Sequence, residues 1–269
     1  SQELMAWSSQ LRASQKSLTT VTDQLLALPQ GGTAVGTGIN AHPRFSIEFA
    51  KEVSRIEKIK AKPSDNFFHS LSSQDTSLQL SGEMRNLATV LMKISNDLRW
   101  MNSGPLSGLG EIELQALQPG SSIMPGKVNP VIPEAVTMVC AEVIGSDTTV
   151  AIAAQSGNFQ LNVMLPVIAY NLLKSLNILS NAMGILGNKA IKTFKVNKTN
   201  IQESLERNPV LVTALSPIIG YAKAAEIAKK AYKGRRSVIE VALEETKLSR
   251  KRLEKLLNPK NLTSGGIKK

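Results

Sequence analysis

The longest helix-forming stretch of the chain, residues 71–102, constrains the fold more than any other feature. Its sequence, LSSQDTSLQLSGEMRNLATVLMKISNDLRWMN, predicts an α-helix about 45 Å long at 1.5 Å per residue. Apolar residues at helical spacing predict four further long helices, over 1–28, 45–60, 133–155 and 160–190. We expect Pro166 to kink the last of these. Strand signals are almost absent, and the aromatic residues are few (six Phe, two Trp and three Tyr). The sequence therefore predicts an all-α fold with an aliphatic core.

The helical pattern changes character after about residue 195. Shorter helices are predicted over 197–207, 209–215, 221–232, 237–245 and 249–256. We therefore expect a central bundle of long helices at 1–195 and a small C-terminal helical domain at 196–269. Because the chain opens inside a helical pattern and without an initiating Met, we expect the first domain to be N-terminally incomplete.

The chain is basic, with 32 Lys and Arg against 21 Asp and Glu and a net charge of +11. The positive residues are spread along the sequence, with local clusters near 51–62 and across 223–260. The sequence has neither RNP-like aromatic residues nor zinc-ligand spacing nor an arginine-rich arm, so nucleic-acid binding is a distant alternative. A solvated basic surface is the favoured interpretation, and a basic funnel for small anionic substrates is its more useful functional version.

Cysteine content and hydropathy argue against a disulfide, a metal site and a membrane span. The single cysteine, Cys140, cannot form an internal disulfide, and one thiol with two histidines does not make a metal site. A reducing compartment is expected. No uninterrupted apolar run reaches 18 residues, so we expect neither a membrane span nor a membrane partner.

An irregular segment, GSSIMPGKVNP, covers residues 120–130 and precedes a long helix. Gly120 and Gly126 bracket two serines and Lys127, in a backbone that can bend around a small ligand. Lys127 suits a carboxylate or a phosphate, and Asn129 adds an amide nearby. The segment is not a phosphate-binding P-loop, since neither Ser nor Thr follows the lysine. From composition alone, a plain Gly/Ser/Pro linker is an equally good interpretation.

The segment resembles the signature of the fumarase/aspartase superfamily, whose members release fumarate by β-elimination from succinyl-type substrates. Further blocks resemble class II fumarase in the same order, namely GGTAVGTGIN (31–40), RWMNSGP (99–105), GNFQLNV (157–163) and LVTALSPIIGYAKAAEIAKKA (211–231). The resemblance implies a cofactor-free fumarate hydratase that interconverts L-malate and fumarate. Aspartate ammonia-lyase is the alternative, and Asn158 with Phe159 favours the fumarase branch.

The resemblance also implies roles for individual residues. Ser121 matches the base that removes the C3 proton of malate. The substrate-binding positions of the family match Ser122, Lys127, Val128 and Asn129. Glu134 matches a carboxylate that orients a catalytic histidine, whereas the sequence alone would make it a first-turn helix carboxylate that favours the dipole.

The chain departs from the family pattern at several positions. His42 and His69 stand outside the family's G-x-T-H-x-x-D context, and we expect that motif upstream of residue 1. An inactive helical assembly fragment is therefore a further alternative for the chain as given. Arg is common in the family at the position of Leu106, and Asn, His and Asp at the positions of Ser216, Ile218 and Ala222.

The family assembles as a homotetramer around a 20-helix core, and each active site draws residues from several subunits. The resemblance therefore implies a homotetramer that binds a small dicarboxylate. It also implies a cytoplasmic location, or the mitochondrial matrix if the source is eukaryotic.

Overall fold

The computed structural model describes residues 2–104, 107–206, 208–263 and 266. The helices are α1 (Gln2–Gln24), α2 (Phe45–Glu57), α3 (Phe67–Ser72), α4 (Asp75–Met101), α5 (Val131–Ala154), α6 (Leu165–Leu186), α7 (Lys198–Glu206), α8 (Ser216–Ile219), α9 (Tyr221–Gly234), α10 (Val238–Glu245), α11 (Arg250–Leu256) and α12 (Pro259–Leu262). A π-helical turn (Gly187–Ile191) extends α6, and a 3₁₀ helix (Pro209–Leu215) precedes α8. The strands are β1 (Ala27–Leu28), β2 (Lys62–Pro63), β3 (Ile112–Glu113) and β4 (Lys195–Val196). The predicted all-α class is confirmed.

The chain forms two compact units. The first comprises Ser1–Trp100 and Leu114–Phe194, and the second comprises Met101–Glu113 and Lys195–Lys269. The segment Met101–Glu113 joins the second unit because β3 pairs antiparallel with β4 there. The backbone N–H of Asn197 extends this pairing by donating to the carbonyl of Glu111 at 2.9 Å.

In the first unit, α1 packs against α4 around a buried tryptophan. Trp7 is 3% exposed, and its indole N–H lies 3.2 Å from the Asp97 carboxylate and 3.1 Å from Glu3. The Lys93 ammonium lies 5.7 Å from the centre of the ring, within range of a cation–π contact. The buried apolar residues of α4 recur at helical spacing and therefore lie on one side of the helix. They include Leu80, Met84, Leu87, Leu91, Ile94 and Leu98.

Helices α5 and α6 pack along each other through Val150, Ala153 and Ile168. Asp147 on α5 is 4% exposed, and its carboxylate accepts from Arg85 Nη1 and Ser81 Oγ on α4, both at 2.7 Å. A buried charge of this kind is tolerated because its oxygen atoms are paired and hydrogen-bonded. The ion pair therefore connects α4 to α5 inside the bundle.

By length and composition alone, α5 could cross a membrane, although one third of its most apolar window is already buried inside the protein. Charged residues such as Asp147 divide its sequence, so the helix contains no uninterrupted apolar run of 18 residues. The ion pair of Asp147 and the packing of α5 on α6 are typical of a core helix in a helical bundle.

Two helix boundaries differ from the predicted ones, one because a strand pair follows the helix and one because a turn precedes it. Helix α1 ends at Gln24 because Ala27–Leu28 pairs in parallel with Lys62–Pro63. The expected kink at Pro166 is wrong. Helix α6 begins at Leu165, so Pro166 lies in its first turn, where a missing N–H breaks no helical hydrogen bond.

A tight turn at residues 158–161 precedes α6. Asn158 and Leu161 exchange both backbone hydrogen bonds, at 2.8 and 3.1 Å. Phe159 at the turn has φ +50° and is 92% exposed. A bulky residue with positive φ is strained, so the turn holds Phe159 in an unusual position that faces solvent.

The second unit has its own aliphatic core. Its buried members come from the 3₁₀ helix and from α9, α10 and α11, and they include Val212, Leu215, Ile227, Val238, Val241 and Leu253. Helices α10, α11 and α12 each begin with a side-chain cap, from Ser237, Ser249 and Asn258 respectively. These caps satisfy backbone N–H groups that the first turn leaves without partners.

Candidate active site

Residues 120–130, the signature loop, fold back on themselves just before α5. The Gly120 N–H donates to the Lys127 carbonyl at 2.9 Å, and the Asn129 side-chain amide donates to the Gly120 carbonyl at the same distance. A Cβ atom at Gly120 would lie 2.2 Å from the Lys127 oxygen. Only glycine therefore permits this closure.

The hydroxyl of Ser121 lies at the turn of the loop and is aimed at backbone donors. Its Oγ accepts the N–H groups of Ile123 and Met124, both at 3.1 Å. Hydrogen bonds of this kind favour the anionic form of the oxygen over the neutral one. The sequence could not indicate which backbone N–H groups would point at Ser121.

A concave surface of about 530 Å³ lies beside this hydroxyl. Ser121, Lys127 and Val128 line it together with Met124 and Gly126. Within the described residues, the Lys127 ammonium forms no ion pair, so its charge is available to a ligand. A small anion in this space would face both a cation and the hydroxyl.

The remaining predicted residues take different positions. Ser122 and Asn129 are outside the lining of this concave surface, and the Asn129 amide group is committed to Gly120. Glu134 lies half-buried in the first turn of α5, where the helix dipole stabilises its carboxylate. Its backbone N–H donates to the Pro130 carbonyl at 3.1 Å, which joins α5 to the loop.

The two histidines lie in other local contacts. His42 Nδ1 accepts the backbone N–H of Arg44 at 3.2 Å. His69 Nε2 lies 2.7 Å from the Asp75 carboxylate, in an exposed pair. Within the part of the chain that the structure describes, no three His, Cys, Asp or Glu side chains are grouped as metal ligands. Burial raises the pKa of the Cys140 thiol to about 11, so this side chain stays protonated and unreactive.

The departures from the family pattern lie outside the loop. Leu106 falls outside the described residues. Ser216 and Ile218 belong to the short helix α8, and Ala222 lies in the first turn of α9. These three are residues of the second unit, whereas the loop belongs to the first.

Two family models match the chain. The model described as "Lyase" matches residues 1–145, and the model described as "Fumarase C C-terminus" matches residues 211–264. Because the first match covers more than half of the chain, the chain belongs to the lyase family.

Within that family, the chain is similar to class II fumarate hydratases. It is 59% identical over 267 residues to "Fumarate hydratase class II 2" of Pseudomonas aeruginosa, which covers 99% of this chain and 58% of the relative. It is 44% identical over 261 residues to "Fumarate hydratase class II" of Bacillus subtilis, covering 97% of this chain and 56% of the relative. The chain thus spans a little over half the length of these curated relatives.

Solved structures give the same result. The recombinant class II fumarase from Schistosoma mansoni superposes with a TM-score of 0.92 at 36% identity, over 96% of this chain and 57% of that one. A fumarate lyase:delta crystallin from Brucella melitensis, bound to cobalt, superposes with a TM-score of 0.93 at 42% identity, over 98% of this chain and 57% of that one.

Proposed function

We propose that the chain carries the signature loop of a class II fumarate hydratase and that the whole protein interconverts L-malate and fumarate. The observation that carries the proposal is the Ser121 hydroxyl, which accepts two backbone N–H groups and lines the same concave surface as Lys127. The names of the relatives favour hydration over ammonia release, the reaction of the aspartase alternative.

In the proposed reaction, the Ser121 alkoxide removes the C3 proton of malate. The electron pair from that C–H bond moves onto the adjacent carboxylate, which becomes an aci-carboxylate with an additional negative charge. The Lys127 ammonium stabilises this charge as it develops, as groups placed around an oxyanion do. The C2–O bond then breaks, the hydroxyl leaves as water with a proton from an acid, and fumarate remains. The reaction requires neither a redox step nor a cofactor.

The remaining predicted residues support this chemistry from around the loop. Asn129 holds the loop closed through Gly120, and we propose that its side-chain oxygen contacts the substrate. We propose that Ser122 and the Val128 backbone contact the substrate carboxylates. Glu134 is proposed to orient the histidine that protonates the leaving hydroxyl, a positioning role that suits a carboxylate at the start of a helix.

Assembly as a homotetramer, with sites shared between subunits, is also part of the proposal. Large apolar side chains are exposed on α5 and α6, including Met138, Tyr170, Leu173 and Leu176. Tyr170, Leu173 and Leu176 follow one another at a spacing of three residues, so they share a face of α6, and an exposed apolar face is typical of a protein–protein interface. We place the protein in the cytoplasm, where an unpaired buried thiol such as Cys140 is ordinary.

An inactive assembly fragment is the second candidate for the 269-residue chain alone. The positions of the two histidines favour it, because His69 pairs with Asp75 and His42 accepts the Arg44 N–H. Neither of these contacts is with a residue of the signature loop.

The decisive experiment measures the ultraviolet absorbance of fumarate formed from L-malate, beside an assay with L-aspartate, for the full-length gene product and for this chain. We expect malate turnover by the full-length protein, and Ser121→Ala should lower kcat by about 10²–10⁴-fold with little change in KM. Ser122→Ala is the matched control and should lower kcat less. Turnover of aspartate would favour the aspartase alternative. Turnover of neither substrate by the full-length protein would refute both.

A further inference from the structure

The second unit contains a cavity that the proposed reaction does not use. Its volume is about 680 Å³, and it lies between α7, α10, α11 and α12. This volume falls within the roughly 300–1,000 Å³ typical of small-molecule sites. The cavity belongs entirely to the second unit, whereas Ser121 and Lys127 belong to the first.

The inner wall of the cavity is aliphatic. Val238 and Leu257, which are buried, form part of it, and half-buried Ile201, Leu211 and Ile239 also belong to it. Leu211 and Ile239 also pack against the core of the unit, which fixes their positions. A wall of this composition favours an apolar ligand body, because each methylene group removed from water strengthens binding.

The rim of the cavity is charged. Lys198, Arg250 and Lys260 line it, and none of the three forms an ion pair within the described residues. Two carboxylates also line it, but Glu240 lies 4.0 Å from the Arg236 guanidinium outside the cavity. The three cations outnumber the two carboxylates, so the rim carries a net positive charge and favours an anionic ligand. The two carboxylates oppose a second negative charge on that ligand.

We infer that this cavity binds a small amphipathic monocarboxylate, with its chain against Ile201, Leu211 and Ile239 and its carboxylate at Arg250 and Lys260. A dicarboxylate such as fumarate fits it poorly, since fumarate has no apolar body and carries two charges. The site is thus distinct in ligand class from the proposed active site, and it stands whether or not the chain takes part in malate turnover.

Octanoate is the probe for the test. Titration into the chain, followed by methyl NMR, should shift the signals of Ile201 and Ile239, while those of the buried core residue Ile227 stay in place. Butanoate lacks four methylenes and should bind at least about 30-fold more weakly. 1-Octanol has the chain without the charge and should also bind more weakly.

Two matched double variants distinguish binding in the cavity from nonspecific attraction of octanoate to the basic surface. Arg250→Gln with Lys260→Gln removes two rim cations and should weaken octanoate binding about tenfold. Lys251→Gln with Lys255→Gln removes the same charge from the same region but from outside the cavity, and it should leave binding unchanged. Far-UV circular dichroism establishes that both variants are folded.

Four results would overturn the inference. They are the absence of Ile201 and Ile239 shifts at millimolar octanoate, equal binding of butanoate, equal binding of 1-octanol, and equal effects of the two double variants. Because binding is measured directly, none of these results depends on whether the protein turns over malate.

Discussion

Arg85 Nη1 lies 2.7 Å from the carboxylate of Asp147, and this contact joins α4 to α5. The two side chains differ in their surroundings, since that of Arg85 is 50% exposed and that of Asp147 only 6%. If the contact is broken, the guanidinium can therefore be hydrated in place, but the carboxylate cannot. The two halves of the pair should respond differently to substitution.

Arg85→Met should lower the free energy of unfolding by about 2–3 kcal/mol, because it leaves a buried carboxylate with Ser81 as its remaining partner. Asp147→Asn should lower it by only about 1 kcal/mol, since the amide oxygen can still accept from Arg85 while the amide N–H₂ group donates to the Ser81 hydroxyl. Urea denaturation gives both values. Arg99→Met, at an exposed position where the guanidinium donates to Asn96 within α4, is the control and should change little. An Asp147→Asn effect larger than that of Arg85→Met would contradict the argument.

Substitution by alanine should change the free energy of unfolding in opposite directions at two glycines, Gly145 within α5 and Gly157 after it. A Cβ atom at Gly145, in the middle of α5, would meet nothing within 4 Å, so Gly145→Ala should stabilise the fold by about 1 kcal/mol through helix propensity. A Cβ atom at Gly157 would lie 2.8 Å from the Ser72 carbonyl oxygen, so Gly157→Ala should destabilise it. Thermal melts of both variants at one protein concentration measure the difference. A destabilising Gly145→Ala would indicate that another chain packs closely against that position.

Acid should weaken the second unit through Glu245. Hydrogen bonds from the Lys223 and Lys230 ammonium groups lower the pKa of this carboxyl from 4.5 to about 2. Because the pKa is lower in the folded state, the stabilisation is fully present above about pH 4.5 and is lost as the pH falls towards about 2. Glu245→Gln should therefore flatten the dependence of Tm on pH across this window. Glu254→Gln, at an exposed carboxylate without an ion pair in the described part of the chain, should leave the slope as it is.

Charge on the exposed face of α6 should test the proposed assembly. Leu173 is 67% exposed, and Leu173→Asp places a charge where we propose that another subunit packs. The variant should shift the mass measured by light scattering towards the monomer. Asn181→Asp adds the same charge at an exposed polar position of α6 and is the comparison. A wild-type chain that is monomeric at every concentration would remove the basis for this prediction.

The long helices could be predicted from sequence because their apolar residues recur over many turns, as at Leu80, Met84, Leu87 and Leu91. The paired strands could not, since a two-residue strand has no detectable period and depends on a partner distant in sequence, as Ala27 does on Lys62. The position of Pro166 within its helix could not be predicted for a related reason. A helix start is set by the turn before it, and the apolar run through residues 161–168 concealed that start.

At the candidate site, the residues could be predicted from the sequence, but the hydrogen bonds that their side chains make could not. The resemblance identified Ser121 and Lys127, and both line the same concave surface. The donors to Ser121 belong to the backbone of Ile123 and Met124, so their side chains give no sign of this role. The hydrogen bond by which Asn129 closes the loop through Gly120 could not be predicted either. A side-chain amide can bind a substrate or a backbone carbonyl equally well.

Because the signature loop closes on itself, substitutions within the loop and substitutions in the helical core can accumulate independently. Gly120, Lys127 and Asn129 join the ends of the loop to each other through its own hydrogen bonds. Side chains between these ends, such as Ser122 and the exposed Ile123, can be exchanged without changing the bundle below. On the proposed function, a helical scaffold with such a loop can change the side chains that face its substrate by few substitutions, while selection on its core continues undisturbed.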